Sequence, residues 1–337
     1  MKNYLDYSER IFIAGGNGMV GSAIIRNILK NKNKEQLKKT LILSPNRDEL
    51  DLTNFASVKS WFNENRPNIV IIAAAKVGGI HANNSKPFNF ILENIKIQTN
   101  LIELSWLFKV KTLIFLGSSC IYPKFATQPI KEEYLLTDTL ETTNEFYALA
   151  KISGIKLCQA LRKQYNFNSI CLMPTNLYGP GDNYNLQDSH VIPALIRKFH
   201  DAKEKELDYV ECWGTGKPLR EFLYVDDLAE ACLFVLEKWS DPNFKRIDHN
   251  GREINWLNIG SPYEVSIKDL SETISSQVGF QGKIIWNEEM PDGTPRKKLD
   301  TKKINDLGWK AKTNLEEGIK LTLKYFKNEI LNSTLRK

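Results

Sequence analysis

Long apolar runs are missing from this sequence of 337 residues. A helix that crosses a membrane needs about 18 or more consecutive apolar residues, and nothing here approaches that length. The first ten residues are polar and lead directly into a strand-like segment, so we expect no secretory signal peptide. We therefore expect no membrane partner and a cytoplasmic location.

Cysteine is scarce, and its spacing shows no motif typical of disulfides or metal ligands. The five cysteines form no C-x-x-C pair, so the sequence predicts neither a disulfide framework nor a metal site. Four of them, Cys158, Cys171, Cys212 and Cys232, are interpreted as small buried hydrophobic residues. Cys120 differs from these four in its sequence context, because it lies two residues after Ser118.

A concentrated basic face is also missing. The net charge of +6 comes from 46 basic and 40 acidic residues, and part of the excess lies at 30–39 and in the C-terminal tail. We interpret these lysines as solvated surface, which predicts no nucleic-acid partner. The mild positive bias suits anionic small ligands such as dinucleotides.

Short apolar strands alternate with helices over the first 200 residues. Strands are predicted at 11–14, 40–43, 68–75, 111–117 and 169–173, and helices at 19–29, 55–63, 88–108, 146–165 and 191–203. Strands without polar alternation that are separated by helices indicate a parallel sheet covered on both faces. The predicted fold class is therefore α/β, with a doubly wound (Rossmann) parallel sheet.

After about residue 180 the pattern becomes irregular and is punctuated by Gly and Pro. We predict that residues 1–180 form a dinucleotide-binding domain and that residues 181–337 form mainly a smaller α/β substrate lobe. A segment at about 220–260 is expected to return to the first domain.

A glycine-rich loop follows the first strand and opens the first helix. Gly15, Gly18 and Gly21 have the spacing G-x-x-G-x-x-G. Such glycines allow a tight turn and let backbone N–H groups approach a pyrophosphate at the helix N-terminus. The predicted cofactor contacts in this loop are Gly15, Gly16, Asn17, Gly18, Met19, Val20 and Gly21.

The end of the second strand indicates which dinucleotide binds. NAD sites usually have an acidic residue there, but this chain has Ser44, Asn46 and Arg47 and no carboxylate before Asp48. Arg47 suits a 2′-phosphate, so the sequence predicts NADP(H), although a surface role for Arg47 stays open. Asp51 and Leu52 are expected near the adenine.

Tyr147 and Lys151 lie four residues apart on one predicted helix. A tyrosine has an ordinary pKa of about 10, and a neighbouring ammonium is expected to lower it. Such a pair can pass a proton to a carbonyl oxygen as hydride arrives. Together with Ser118 at the end of the fourth strand, they resemble the triad of short-chain dehydrogenases/reductases.

Seven segments make the resemblance more specific. They are AAAKVGG (73–79), LGSSCIYP (116–123), MPTNLYGP (173–180), SHVIP (189–193), WGTG (213–216), REFL (220–223) and PDGTPRK (291–297). They run through roughly residues 10–325 and resemble the GDP-L-fucose synthase family. On their residue types alone, Cys120 would be interpreted as a core cysteine and His190 as a structural histidine.

The resemblance implies one site for two reactions: epimerisation of a GDP-4-keto-6-deoxy-D-mannose at C3 and C5, then reduction at C4 by NADPH. It implies that Cys120 is the base and His190 the acid of epimerisation. It also implies a homodimer. Further cofactor contacts are expected at Ala74, Leu116, Gly117, Ser118, Tyr147, Lys151, Pro174, Asn176, Leu177 and His190. Substrate contacts are expected at Ser118, Ser119, Cys120, Asn176, Lys198, Trp213, Arg220 and Asp292.

Three alternatives stay open. A nucleotide-sugar 4-epimerase or dehydratase of this fold would retain NAD and return its hydride. A synthase for colitose or a 6-deoxy-heptose would perform the same chemistry on a related GDP-keto sugar. A non-catalytic protein that senses the cofactor would need neither Tyr147 nor Lys151.

Overall fold

The largest sheet of the structure is parallel and has six strands. Five of them lie within residues 10–174, and the sixth lies at 256–259. The structure is a computed structural model and describes residues 9–31, 40–185, 188–290 and 292–336. The strands of the sheet are β1 (Arg10–Ala14), β2 (Leu41–Leu43), β3 (Ile69–Ile72), β4 (Thr112–Leu116), β5 (Ser169–Pro174) and β10 (Trp256–Ile259). Their order is β10-β5-β4-β3-β1-β2, and every pair is parallel.

Helices cover both faces of this sheet. They are α1 (Met19–Asn31), α2 (Phe55–Asn65), α3 (Ile80–Ser85), α4 (Pro87–Leu107), α5 (Glu145–Tyr165) and α7 (Val225–Ser240). On one face α1 packs against α7, and on the other α4 packs against α5 and α2. Two apolar cores result, because side chains alternate along each buried strand: Ile11 and Ile13 belong to one core and Phe12 to the other. The doubly wound α/β fold is confirmed.

The later half of the chain adds short strands and further helices. These are β6 (Asn176–Tyr178), α6 (Val191–Glu204), β7 (Tyr209–Trp213), β8 (Leu219–Arg220), β9 (Phe222–Tyr224), β11 (Val265–Ser266), α8 (Ile267–Val278), β12 (Lys283–Asn287), β13 (Arg296–Lys297), α9 (Lys302–Leu307) and α10 (Leu315–Leu331). β6 pairs with β9, β7 pairs with β12, and β8 lies between β11 and β13. A third apolar core includes Phe199, Leu270 and Phe326.

One helix boundary differs from the sequence prediction. The helix predicted at 88–108 is preceded by a separate short helix at 80–85, and the two are divided at Lys86, directly before Pro87.

The division into two domains at residue 180 stays a prediction, although α7 and β10 belong to the layers of the large sheet. Most of the lysine-rich stretch 30–39, residues 1–8 and Pro291 lie outside the described residues. Within the described ranges, no helix combines the length and the apolarity that a bilayer span requires.

Candidate active site

One large cavity lies beyond the carboxyl ends of the sheet strands, as expected for ligands of open α/β sheets. Its volume is about 1140 Å³. The glycine-rich loop, Tyr147, Cys120 and Arg220 all line it. Because the strands lie in the order β1-β3-β4-β5, the loop after β1 is at one end and Cys120, after β4, is in the middle. Arg220 is at the other end, since its neighbour Glu221 bonds to Thr175 after β5. Of the residues that the sequence assigns to a site, all but Ser44, Lys198 and Trp213 line this cavity.

The glycine-rich loop is compact because side chains would not fit in it. Gly15 has φ +85°, and a Cβ on it would lie 2.8 Å from the backbone of Ala74. A Cβ on Gly21 would lie 2.2 Å from the Gly15 carbonyl oxygen. The Gly18 amide donates to that same carbonyl oxygen at 3.0 Å and so closes the turn that opens α1. The loop therefore presents bare backbone to the cavity at a helix N-terminus, which suits a diphosphate.

The segment after β2 forms the rim near this loop. The Asn46 side chain accepts hydrogen bonds from the Asp48 and Glu49 amides at 2.8 and 3.0 Å, and so holds a tight turn. Arg47 is exposed on the cavity wall. The buried Ser44 hydroxyl faces Gly16 instead, because a Cβ on Gly16 would lie 1.8 Å from its Oγ. Ser44 thus lies behind the loop, while Asn46 and Arg47 face the cavity.

Asp51 and Leu52 continue this rim. The Asp51 carboxylate accepts from the Thr53 amide and hydroxyl at 2.9 and 2.8 Å, and these bonds lower its pKa. The Leu52 carbonyl oxygen accepts from the Asn100 side chain at 2.9 Å. Both residues are therefore fixed by local hydrogen bonds and line the cavity.

Tyr147 and Lys151 project from α5 towards the end of β4. The Lys151 ammonium donates to the Leu116 carbonyl oxygen at 2.8 Å and lies 5.8 Å from the centre of the Tyr147 ring. Burial lowers the pKa of Lys151 to about 8. Burial, with a smaller contribution from Cys120, raises the pKa of Tyr147, which a hydrogen bond with Ser118 partly opposes.

The expected lowering of the Tyr147 pKa by Lys151 is therefore wrong in this structure. Desolvation of the phenolate outweighs every attractive effect, and Lys151 is itself desolvated. Tyr147 consequently retains its proton at neutral pH. That state suits a group that donates a proton rather than one that removes it.

Cys120 follows Ser118 in a single turn of 3₁₀ helix at Ser119–Ile121. Its thiol lies 2.9 Å from the Ser118 hydroxyl oxygen, and the Cys120 side chain is only 8% exposed. The turn forms because the Ser118 side chain also accepts from the Cys120 amide at 3.4 Å. A thiol and a hydroxyl are thus held together at the end of β4, beside Tyr147.

His190 occupies the position directly before α6. Its side chain is exposed to the cavity, and desolvation by the surrounding protein lowers its pKa. The neutral imidazole therefore prevails near neutral pH, where it can accept a proton, and its protonated form is a stronger acid than an ordinary imidazolium. The structure thus brings Ser118, Cys120, Tyr147, Lys151 and His190 to one cavity.

The residues assigned to substrate divide into two groups. Arg220 and Asn176 line the cavity, and the Asn176 amide donates to the Glu221 carbonyl oxygen at 3.0 Å. Lys198 and Trp213 pair with each other instead, with the ammonium 5.4 Å from the indole centre. Trp213 is 55% exposed.

Asp292 lines the cavity but also has a structural task. Its carboxylate accepts from the amide and hydroxyl of Thr215 at 2.7 and 2.8 Å. A Cβ on Gly214 would lie 2.2 Å from Asp292 Oδ1, and Gly214 has φ +77°. Asp292 therefore fixes the turn after β7, which accounts for the glycine next to Trp213.

Sequence reasoning missed several polar residues of the cavity wall. Lys297, Asn144 and the Lys124–Glu141 ion pair (2.9 Å) all line it. Lys297 is half-buried, and burial lowers its pKa. The only available signal for Lys297 was its place in PDGTPRK, because its neighbour in space, Arg220, lies 77 positions earlier and pairs with it through β8 and β13.

Comparison with known proteins gives a consistent result. The model of the NAD dependent epimerase/dehydratase family matches residues 11–247. GDP-L-fucose synthase 1 of Arabidopsis thaliana is 51% identical over 327 residues, which cover 97% of this chain and 96% of that protein.

Two solved structures are similar along nearly the whole chain. A GDP-6-OMe-4-keto-L-xylo-heptose reductase from C. jejuni has a TM-score of 0.87 and 34% identity, covering 96% of this chain and 99% of that one. A GDP-L-fucose synthetase from Naegleria fowleri bound to NADP has a TM-score of 0.85 and 29% identity, covering 99% and 96%.

Proposed function

The chain belongs to the NAD dependent epimerase/dehydratase family and, within it, to the GDP-L-fucose synthase family, and we propose that it converts GDP-4-keto-6-deoxy-D-mannose to GDP-L-fucose. It is an enzyme that uses NADP(H). The observation that carries the specific reaction is the shared cavity of two proton-transfer sets: Cys120 with His190, and Tyr147 with Ser118.

The cofactor fits the residues present at the glycine-rich end. Gly15, Gly18 and Gly21 leave room for a diphosphate against bare backbone, and Arg47 is placed to pair with a 2′-phosphate at the rim. When bound, NADPH supplies the hydride that reduces the ketone. Lys151, Asn176 and Leu177 line the same cavity.

Epimerisation comes first and needs no hydride. The ketone at C4 makes the protons on C3 and C5 acidic, because the resulting charge moves onto the oxygen. Cys120 removes such a proton, and His190 returns one to the opposite face of the same carbon. Ser118 and Tyr147 donate hydrogen bonds to the carbonyl oxygen while it carries the charge.

Reduction then uses the same carbonyl oxygen. With hydride supplied to C4 by bound NADPH, the Tyr147 hydroxyl would transfer its proton to the carbonyl oxygen, and the ketone would become an alcohol. The raised pKa of Tyr147 supports this role, because the group is still protonated when the ketone needs a proton. Lys151 holds the Leu116 carbonyl at the end of β4 and keeps a positive charge beside the tyrosine.

Two cationic side chains lie at the other end of the cavity, where we expect the nucleotide to bind. Arg220 and Lys297 are register partners on β8 and β13 and both line the cavity. Two neighbouring cations suit the diphosphate of a GDP-sugar. Asp292 lies on the same side, while Lys198 and Trp213 form a platform on α6 and β7 that we assign to the guanosine.

The test is incubation of the purified enzyme with NADPH and GDP-4-keto-6-deoxy-D-mannose, with the product identified by NMR. We expect one NADPH consumed per GDP-L-fucose formed. A product that retains the 4-keto group, or turnover without NADPH consumption, would identify a retained-NAD epimerase or dehydratase instead. Faster turnover of a colitose or heptose precursor would reassign the substrate.

The proposal includes a cytoplasmic homodimer. α4 and α5 lie side by side and expose Phe88 (69%), Phe146 (43%) and Leu149 (38%), so a second copy could cover this face. All five cysteines are free and buried, which is common in a reducing compartment. Light scattering and cell fractionation test the two statements; a monomer or a membrane-associated pool would contradict them.

A further inference from the structure

Glu221 is a fully buried carboxylate between β8 and β9, with 0% of its surface exposed. One carboxylate oxygen accepts from the Ser261 amide at 2.5 Å, and the other accepts from the Leu299 amide at 2.8 Å. Its backbone carbonyl accepts from the Thr175 hydroxyl at 3.2 Å and from the Asn176 side-chain carboxamide at 3.0 Å. Glu221 therefore joins three segments that are distant in sequence.

The close approach at Ser261 needs a glycine beside it. A Cβ on Gly260 would lie 2.0 Å from the Glu221 carboxylate oxygen. Backbone and carboxylate thus meet without room for a side chain. This fit locks the position of the carboxylate relative to the end of β10.

Two of the three segments that Glu221 joins carry a side chain of the cavity wall, and so does the residue directly before Glu221. Arg220 precedes it directly, Lys297 lies two residues before Leu299, and Asn176 bonds to it. Arg220 and Lys297 are also direct register partners of the two-residue strands β8 and β13. Strands this short leave Lys297 poorly fixed by the pairing of β8 with β13 alone. The Leu299 bond to Glu221 therefore helps to hold the segment, together with the bond from the Lys298 backbone N–H to the Gln128 side chain at 2.8 Å.

We propose that Glu221 is a positioning residue that fixes the spacing of Arg220 and Lys297, so that both cations grip the diphosphate of the nucleotide sugar. The inference rests on the proposed function, because it takes the Arg220 end of the cavity as the nucleotide site. Glu221 does not touch the ligand; it acts through the backbone of the residues that do.

Replacement by glutamine isolates this role. A carboxylate can accept from both amides, but a carboxamide has one acceptor oxygen and one NH₂ group. In Glu221→Gln one backbone N–H must face another donor, so either the Ser261 or the Leu299 segment has to move. The size of the side chain is nearly unchanged, and the apolar cores are not touched.

The experiment compares the affinities of GDP and GMP by calorimetry, since only GDP carries the second phosphate. We expect wild-type enzyme to bind GDP more tightly than GMP. In Glu221→Gln the ratio of the two dissociation constants should fall by about tenfold, as for the loss of one charge-assisted phosphate contact. NADPH affinity should stay within about twofold of wild type, because the glycine-rich loop is not joined to Glu221 and the substitution leaves the backbone carbonyl that Asn176 bonds to unchanged.

Glu230→Gln is the matched control, since Glu230 pairs with Lys312 at the surface and lies outside the cavity wall. Glu221→Asp is the second variant if Glu221→Gln does not fold: it keeps the charge but is one methylene too short to reach both amides, so the ratio should also fall. An unchanged ratio of the GDP and GMP dissociation constants in a folded Glu221 variant overturns this inference but leaves the proposed function intact. A wild-type enzyme without preference for GDP would contradict the proposed nucleotide site itself.

Discussion

The two ends of the cavity are built in different ways. The glycine-rich end is formed by consecutive residues, 15–21, and its glycines expose backbone to the cavity, because a side chain at Gly15, Gly16 or Gly21 would not fit. The opposite end is formed by side chains, Arg220 and Lys297 among them, from short strands brought together by pairing and by buried Glu221. Specificity for a common cofactor can rest on backbone, whereas recognition of a particular sugar nucleotide depends on side chains placed by long-range contacts.

The largest effect is expected where the two ends meet. Tyr147→Phe removes the proton donor and should lower kcat for NADPH oxidation by about 10³-fold, within the usual range for loss of a general acid. NADPH and GDP affinities should change little, because neither end of the cavity is altered. A loss of less than tenfold in kcat would contradict the assignment of Tyr147 as the proton donor in reduction.

A substitution at the glycine-rich end should weaken the binding of NADPH and leave substrate binding unchanged. Gly15→Ala combines φ +85° with a 2.8 Å approach to Ala74, and we expect NADPH affinity to fall by about 30-fold, equivalent to about 2 kcal/mol. Gly251→Ala is the control, since Gly251 also has a positive φ (+74°) but nothing within 4 Å of a Cβ. Equal losses in both variants would show that the effect is general destabilisation.

Alkaline pH should slow reduction in the middle of the cavity, where Lys151 lies beside Tyr147. The Lys151 pKa, lowered to about 8 from 10.5, means that the ammonium is charged below about pH 8 and neutral above it. If that charge supports reduction, kcat at pH 9 should be about tenfold below its plateau. A kcat that stays flat to pH 9, measured with saturating NADPH and substrate, would contradict this assignment.

The smallest effect is expected at the exposed rim of the cofactor end. Arg47→Ala should reduce the preference for NADPH over NADH by about fivefold, because a solvated arginine–phosphate contact contributes about 1 kcal/mol. The measurement is the ratio of kcat/KM for the two cofactors. Lys59→Ala, at an exposed position on α2 outside the cavity wall, should leave that ratio unchanged.

The same contrast explains how far the sequence could be interpreted. The first five strands of the sheet, the glycine-rich loop and the Tyr147–Lys151 pair were predictable, because each is marked by residues within a few positions of one another. The sixth strand, β10, was expected only as part of a segment at about 220–260 that returns to the first domain. Lys297 and Glu221 were not, since their roles depend on the register of β8 with β13 across 77 positions. The pKa of Tyr147 was also beyond reach, because it depends on burial by the completed fold.

The central claim is that two proton-transfer sets act in sequence at one carbonyl. The direct measurement is deuterium incorporation at C3 and C5 of GDP-4-keto-6-deoxy-D-mannose in D₂O, followed by NMR without NADPH. Tyr147→Phe should still exchange these positions, whereas Cys120→Ala should not, although it still binds NADPH. Exchange at the wild-type rate in Cys120→Ala would contradict the account.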